Sequence, residues 1–238
     1  MQKINTKTIK YSYLGEVFEG YCAYPKVDKK MPAVLIAHTW AGRDTFVCET
    51  ADKLAKLGYV GFAIDLYGRA KVGKSIEENQ ALMTPLMSDR SLLKNRLKES
   101  LKTLAVLENV DSMKISAIGF CFGGLCVLDM ARNNMQLKGI VSFHGLLSKP
   151  NIETKDKIWP RVLVLHGNDD PMVSEDDIKK FKEEMTERDA DWAMHIFGKT
   201  KHAFTNPKAN DEKLGTVYNE NSANKAWKLT YDFLKESY

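Results

Sequence analysis

Strand-like apolar runs alternate with helix-like stretches along most of this chain, which restricts it to folds built on a mostly parallel sheet. Residues 32–38, PAVLIAH, form a continuous apolar run typical of a strand buried on both faces. Residues 91–107 place leucines at helical spacing. We therefore predict an α/β fold with a mostly parallel sheet of about seven to eight strands flanked by helices. The remaining predicted strands are 11–13, 17–24, 59–66, 115–118, 139–143, 162–166 and 192–197, and the remaining predicted helices are 49–57, 125–132, 175–186 and 222–234.

The length of 238 residues fits one large domain with a sizeable core. No repeat, low-complexity tract or Gly/Ser/Pro linker divides the chain, so we predict a single domain over 1–238. Residues 68–90 are the exception, because they are polar, poorly periodic and follow a predicted strand end. We expect this segment to form a lid-like insertion, a loop and short helix that covers the site.

Charge and cysteine usage limit the partners and the compartment. The net charge of +4 is spread along helix-like stretches and does not predict a nucleic-acid partner. Residues 1–10 lack the apolar core of a secretory signal, and no apolar run is long enough to span a membrane. We therefore expect no membrane partner. The four cysteines show no CxxC spacing, so we expect free thiols and a cytoplasmic location; they are Cys22, Cys48, Cys121 and Cys126. The sequence allows either a monomer or a homodimer.

A glycine-rich turn, GFCFGG at residues 119–124, carries the strongest chemical signal. It follows a predicted strand and precedes a predicted helix, with Cys121 at its apex. Glycine lets the backbone turn sharply around a strained residue, and the helix N-terminus favours both a thiolate and an oxyanion. This context is that of a nucleophile elbow, normally written G-x-S-x-G. The alternative is a buried cysteine in a turn lined by glycine for packing.

Polar side chains follow the carboxyl ends of several predicted strands, where ligands of parallel sheets bind. The order along the chain is a nucleophile, then an acid, then a histidine, which is the order of the α/β-hydrolase triad. The chymotrypsin and subtilisin arrangements have other orders. The residues concerned are His38, Thr39, Trp40, Asp65, Tyr67, Cys121, His144, His166, Asp169, Asp170 and His202.

Several of these residues have an ordinary structural interpretation. His38, His144 and His166 lie at strand ends, where histidines often bond to loops, and His195 lies inside the last predicted strand. His202 is favoured as the base because it follows that last strand.

The acid is less well determined by the residues alone. Asp169 and Asp170 are both candidates, since turns favour aspartate in any case. For Asp65 we favour a structural role over that of the acid.

The chain resembles the dienelactone hydrolase (carboxymethylenebutenolidase) family of α/β-hydrolases from about Tyr21 to the last helix. The motifs are the cysteine elbow, Asp65-Leu66-Tyr67, HGNDDPMV at 166–173 and KHAF at 201–204. Cysteine at the elbow is the specific part of this resemblance. It implies Cys121 as nucleophile, His202 as base and Asp170 as acid, three residues before Val173.

The resemblance implies hydrolysis of a small ester or lactone through a thioester acyl-enzyme, with no cofactor and no metal. The oxyanion donors would be the backbone N–H groups of Phe122 and Trp40. Two alternatives stay open: a thioesterase or promiscuous hydrolase of other activated esters, and a non-catalytic binding protein on a hydrolase scaffold.

Two positions depart from the family pattern. Thr39 stands where the dienelactone-cleaving members carry a glutamate, and Asn206 stands where they carry a carboxylate-binding arginine. Those members carry a second carboxylate-binding arginine in the segment after the Asp-Leu-Tyr motif. Near its expected place this chain has Glu78-Asn79-Gln80, and the arginines that the segment offers are Arg69 and Arg90. We therefore expect a neutral ester, or one held in a different way, in place of an anionic dienelactone. The predicted pocket residues are Thr39, Tyr67, Arg69, Phe204 and Asn206, and the apolar residues Leu82, Met83, Leu86 and Met87 either join them or pack a short helix.

Overall fold

The computed structural model describes residues 3–150 and 154–238, in two compact units, Met1–Ala117 and Ile118–Tyr238. Residues 1 and 2, part of the polar segment considered above, lie outside the described range. The first unit holds β1 (Ile4–Tyr13), β2 (Glu16–Pro25), β3 (Met31–Ala37), α1 (Thr45–Lys56), β4 (Val60–Ala63), α2 (Ile76–Ser88), α3 (Arg90–Ala105) and most of β5 (Val110–Phe120). The second holds the end of β5, then α4 (Phe122–Arg132), β6 (Gly139–Phe143), β7 (Arg161–Gly167), α5 (Glu175–Glu187), β8 (Trp192–Phe197), β9 (Asn210–Asp211), β10 (Thr216–Val217) and α6 (Glu220–Glu236).

The strands of the first unit follow the order β1-β2-β4-β3-β5. β1 and β2 form an antiparallel hairpin, and β3 pairs with β4 in parallel. All of β4 and the last five residues of β3 are buried, as the continuous apolar run at 32–38 predicts.

The second unit continues from β5 in the order β5-β6-β7-β8. β6 pairs with β7 in parallel, and β7 pairs with β8 in parallel. Every residue of β6 is buried, whereas β8 has only half-buried and exposed residues, as expected of an edge strand. The expected fold class is confirmed: eight strands, mostly parallel, are flanked by helices.

Several element boundaries differ from the prediction. Helix α1 begins at Thr45, four residues early, because the Asp44 carboxylate accepts the Val47 N–H and caps the helix. The segment 68–90 contains a longer helix than expected, α2, of which only Leu86 is buried. Its role as a lid stays a prediction, as does the single domain over 1–238. The short strands β9 and β10 were not predicted at all.

No helix in the described ranges 3–150 and 154–238 is long and apolar enough to cross a membrane.

A buried ionic network joins α4 to α5 in the second unit. The Arg132 guanidinium bonds to both carboxylate oxygens of Glu184 at 2.9–3.2 Å and to Asp129 at 3.2 Å. It also donates to the carbonyl oxygens of Leu147 and Ser148. All three charged side chains are buried, so each depends on its partners for the interactions that water would otherwise supply.

We expect Arg132→Met to lower the free energy of unfolding by about 3–5 kcal/mol, because it removes the cation that two buried carboxylates share, and Arg188 lies at a longer 3.8 Å from Glu184. Chemical denaturation measures this change. The control is Lys180→Met, which removes an ion pair between two exposed side chains and should leave stability unchanged within error. Equal effects of the two substitutions would contradict the importance of the network.

Candidate active site

Cys121 lies between the end of β5 and the start of α4, in a backbone conformation that residues with a side chain rarely adopt. Its φ is 56° and its ψ is −118°. The turn can close because glycines lie where backbone segments approach each other most closely. A Cβ on Gly119 would overlap the Gly123 carbonyl oxygen, and one on Gly124 would lie 2.6 Å from the Cα of Gly145. Gly119 and Gly124 are therefore required by close backbone approach, as expected for a nucleophile elbow.

The backbone of Cys121 is held at both of its polar groups. Its N–H donates to the Phe143 carbonyl oxygen at 3.0 Å, and its carbonyl oxygen accepts the Gly124 N–H at 2.9 Å. Cys121 occupies the N-cap position of α4, and its side chain is half-buried. The positive end of the helix therefore lies where negative charge on the sulfur would be stabilised.

His202 and Asp170 form a buried hydrogen-bonded pair. His202 Nδ1 lies 2.7 Å from Asp170 Oδ2, and both side chains are at most 1% exposed. The other carboxylate oxygen of Asp170 accepts the Met172 N–H at 2.9 Å. The neighbouring Asp169 is exposed, and its side chain accepts a bond from Asn168. Of the two aspartates that the residues alone left open, Asp170 is the one that contacts His202.

The charges around His202 favour its protonated form. Burial of the imidazole opposes a positive charge, but the Cys121 thiolate and the Asp170 carboxylate outweigh it and raise the pKa of His202 to about 10. The arrangement can therefore hold a thiolate–imidazolium pair, in which the proton has already left the sulfur.

The other histidines of the second unit differ in their surroundings. The His144 ring lies edge-on to His202, with centroids 4.9 Å apart, and its Nε2 is 2.9 Å from Thr205 Oγ1. Burial, together with the positive charge of His202, holds the pKa of His144 well below its usual range. Burial also lowers the pKa of His166. His195 is exposed on β8. His144 is thus an uncharged neighbour of His202. The position of His144 at a strand end did not predict this contact.

Two predicted pocket residues follow His202. Phe204 is fully buried and packs edge-on against His144 with ring centroids 5.3 Å apart. It therefore supports the ring of His144. Asn206 is half-buried, and its side-chain oxygen accepts the Lys208 N–H at 3.0 Å.

The predicted residues of the first unit lie in two loops that are bonded to each other. Tyr67 donates from its hydroxyl to the Trp40 carbonyl oxygen at 2.9 Å. Thr39 accepts the Ala41 N–H on its hydroxyl oxygen. Arg69 is exposed and has a φ of 52°.

Asp65 begins the loop that contains Tyr67 and Arg69, and its contacts are those of a structural residue. Its carboxylate accepts four backbone N–H groups, which shapes the loop around it. The donors are those of Glu19, Tyr67, Gly68 and Ala70.

A strand, a strained elbow and a helix, with a buried His–Asp pair after the later strands, define the class of α/β-hydrolases. Within that class, the sequence profile of the Dienelactone hydrolase family matches residues 18–238, so the chain belongs to that family. Its activity is accordingly that of an ester or lactone hydrolase.

Known proteins resemble the chain over most of its length. The uncharacterized protein K02A2.1 of Caenorhabditis elegans is 38% identical over 159 residues, which are 64% of this chain and 99% of that protein. The solved structure of m3DLH is 30% identical with a TM-score of 0.94 and covers 99% of each chain. A dienelactone hydrolase-like promiscuous phosphotriesterase, P91, from metagenomic libraries is 28% identical with a TM-score of 0.94 and covers 98% of each chain.

We expect Cys121→Ala to lower the pKa of His202, because it removes the negative charge that stabilises the imidazolium. In the unmodified protein the proton should stay on His202 until the pH approaches about 10, and in the variant it should leave at a lower pH. Titration of the imidazole nitrogens by NMR measures both values. Cys126→Ala, the same change five residues further on within α4, is the control and should leave the titration unchanged. An unchanged pKa in Cys121→Ala would show that no thiolate charge acts on His202.

Proposed function

We propose that this hydrolase cleaves its ester or lactone with Cys121 as nucleophile, His202 as base and Asp170 as the acid that orients the base. The observation that carries this proposal is the buried 2.7 Å bond between His202 Nδ1 and Asp170 Oδ2, beside a cysteine in an elbow conformation. The bond sets the imidazole tautomer and leaves Nε2 to act on the thiol. His202 Nε2 is buried, and a side-chain hydrogen bond with Cys121 helps to raise the pKa of the imidazole.

Acylation begins when the Cys121 thiolate attacks the carbonyl carbon, with the thiol proton held on His202 Nε2. A C–S bond forms, and the carbonyl electron pair moves to oxygen to give a tetrahedral oxyanion. When that oxyanion collapses, the C–O bond breaks, and the leaving alkoxide takes the proton from His202. The product is a thioester between Cys121 and the acyl group, with a free alcohol, or with a hydroxyl on the same molecule when the substrate is a lactone.

The oxyanion requires donors aimed at the position where negative charge develops. Phe122 is the first residue of α4, where helix N–H groups face outward along the axis. The second donor would come from the loop after β3, and we choose the Trp40 N–H. Each such donor contributes about 3–4 kcal/mol to lowering the barrier.

Deacylation uses the same residues in reverse. His202, now neutral, takes a proton from water, and the hydroxide attacks the thioester carbon. The C–S bond breaks, the carboxylic acid leaves and the thiolate is restored. A working thiolate also favours a reducing compartment such as the cytoplasm, which agrees with the expectation from cysteine usage.

A phosphotriester is the second candidate substrate class. One structural relative, at a TM-score of 0.94, is a promiscuous phosphotriesterase, and a thiolate can attack phosphorus as well as carbon. Turnover of a phosphotriester in the enzyme assays would support this activity, whereas stoichiometric inactivation would show that the phosphorylated enzyme is not hydrolysed.

We expect Cys121→Ala and His202→Ala to abolish hydrolysis of an activated aryl ester. Asp170→Asn should lower kcat by about 10³–10⁴-fold, because the amide favours the wrong imidazole tautomer. The matched control is Asp169→Asn, whose carboxylate does not contact His202 and whose loss should change kcat little. Steady-state kinetics on the four purified variants measures these effects.

Iodoacetamide identifies the nucleophile in the same preparations. It should inactivate the unmodified protein and Cys48→Ala equally, since burial raises the pKa of the half-buried Cys48 thiol. Full activity in Cys121→Ala would rule out Cys121 as the nucleophile.

We also expect a preference for neutral substrates, because Thr39 and Asn206 supply neither the glutamate nor the arginine of the dienelactone-cleaving members. For a lactone carboxylate and its methyl ester, kcat/KM should be higher for the ester. Asn206→Arg should raise kcat/KM for the carboxylate and leave that for the ester nearly unchanged, while Asn206→Gln serves as the uncharged control. A carboxylate preference in the unmodified protein would overturn this expectation.

A further inference from the structure

The chain folds back after the candidate base in a short hairpin that reaches both His202 and the loop of Asp170. We call residues 209–218 the return hairpin; it contains β9 and β10, which pair antiparallel. Its turn is closed by a bond from the Leu214 N–H to the Asp211 carboxylate, at 2.9 Å. The hairpin is mostly exposed or half-buried, so it contributes little to the core.

Both backbone polar groups of His202 are bonded to the return hairpin. The His202 N–H donates to the Gly215 carbonyl oxygen at 3.0 Å, and the Val217 N–H donates to the His202 carbonyl oxygen at 2.9 Å. Rotation of the His202 backbone would break one or both bonds. The hairpin therefore sets the direction in which the imidazole leaves the chain.

Gly215 also lies against the residue that follows the candidate acid. Its φ is 72°, in the left-handed region. A Cβ at this position would overlap the Cγ of Pro171 and lie 2.8 Å from its Cδ. Gly215 is the buried residue of the hairpin, and no larger residue fits between Pro171 and the backbone bond to His202.

We propose that Gly215 is a positioning residue that sets the spacing between the imidazole of His202 and the carboxylate of Asp170. Through its carbonyl oxygen it holds His202, and through its Cα it rests on Pro171, so it contacts the chain of both partners at once. The inference rests on the proposed function, because it concerns the geometry of the base and acid of that mechanism.

The spacing matters because the His202–Asp170 bond is short, buried and charge-assisted, and such bonds weaken steeply with distance and angle. Lys201, next to the base, pairs with Glu212 in the hairpin, which adds a third link between the two segments. The hairpin thus holds in place the loop that follows the edge strand β8.

The test is Gly215→Ala, which places a methyl group against Pro171. We expect kcat to fall by about 100-fold with a smaller change in KM, since a displacement of about 1 Å has that effect on catalytic groups. The resonance of the proton between His202 Nδ1 and Asp170 should shift or broaden. This second readout reports the geometry of the pair whether or not the assay substrate is turned over.

Two further variants separate the contact with Pro171 from backbone strain. Gly15→Ala places alanine at a φ of 79° with no atom within 4 Å of the new Cβ, so it carries a similar backbone cost without the contact. It should keep normal kcat and the normal resonance. The double variant Gly215→Ala/Pro171→Ala removes the obstructing ring and should recover most of the lost kcat.

Asp211→Ala covers the case in which Gly215→Ala does not fold. It loosens the hairpin turn without adding an atom, and should lower kcat and broaden the same resonance to a smaller degree. Asp111→Ala removes a similar bond to the Met113 N–H elsewhere and is its control.

The outcomes for positioning and for the proposed function are distinct. A normal resonance and normal kcat in both Gly215→Ala and Asp211→Ala, or equal losses in these variants and their controls, would overturn the positioning role. Activity retained in His202→Ala would instead overturn the proposed function. A shifted resonance in Gly215→Ala, recovered in the double variant, would still support positioning of the pair.

Discussion

The left-handed backbone at Cys121 is the constraint on which the candidate site depends, and the turn around it brings neighbouring backbone segments unusually close together. Gly119 lies against Gly123, and Gly124 lies against Gly145 on the loop after β6. Such a conformation costs about 1–3 kcal/mol, and the surrounding structure must hold it in place. Here every residue of α4 is buried, so the helix that follows the elbow is fixed along its length. The strained backbone conformation places the Cys121 sulfur at the N-terminus of α4.

The same site places several ionisable groups where little water reaches them, and it tolerates them because their charges alternate. The imidazole of His202 lies between the Cys121 side chain and the Asp170 carboxylate, whose second oxygen is satisfied by the Met172 N–H. A further positive charge would upset this balance. His144, 4.9 Å from His202, is kept neutral by its burial and by that neighbour. Buried charges persist in proteins where they are paired in this way.

Sequence patterns predicted the parts of the structure that obey simple periodicities. Continuous apolar runs located β3 and β6, and the glycine motif located the elbow. The patterns failed where contacts between distant segments decide the structure. Asp169 and Asp170 are equivalent in a turn, so the residues alone left both open. The family resemblance pointed to Asp170, which is the carboxylate that meets His202 in the structure. Helix α2 buries only Leu86, with Leu82, Met83 and Met87 half-buried, so its apolar face is narrow, while β9 and β10 are too short to show alternation. The early start of α1 did have a signal, the capping aspartate Asp44.

The loop after β8 carries both the candidate base and a residue expected to govern substrate charge, and the two tasks are physically separable. His202 is anchored through its backbone to the return hairpin. Asn206, four residues on, directs its side-chain oxygen to the Lys208 N–H, within the same local turn. Its side chain can therefore change without breaking the bonds that hold His202. A family can therefore alter the charge of its substrates at such a position while the geometry of the His–Asp pair stays fixed, which explains how Asn206 can depart from the pattern beside an intact pair.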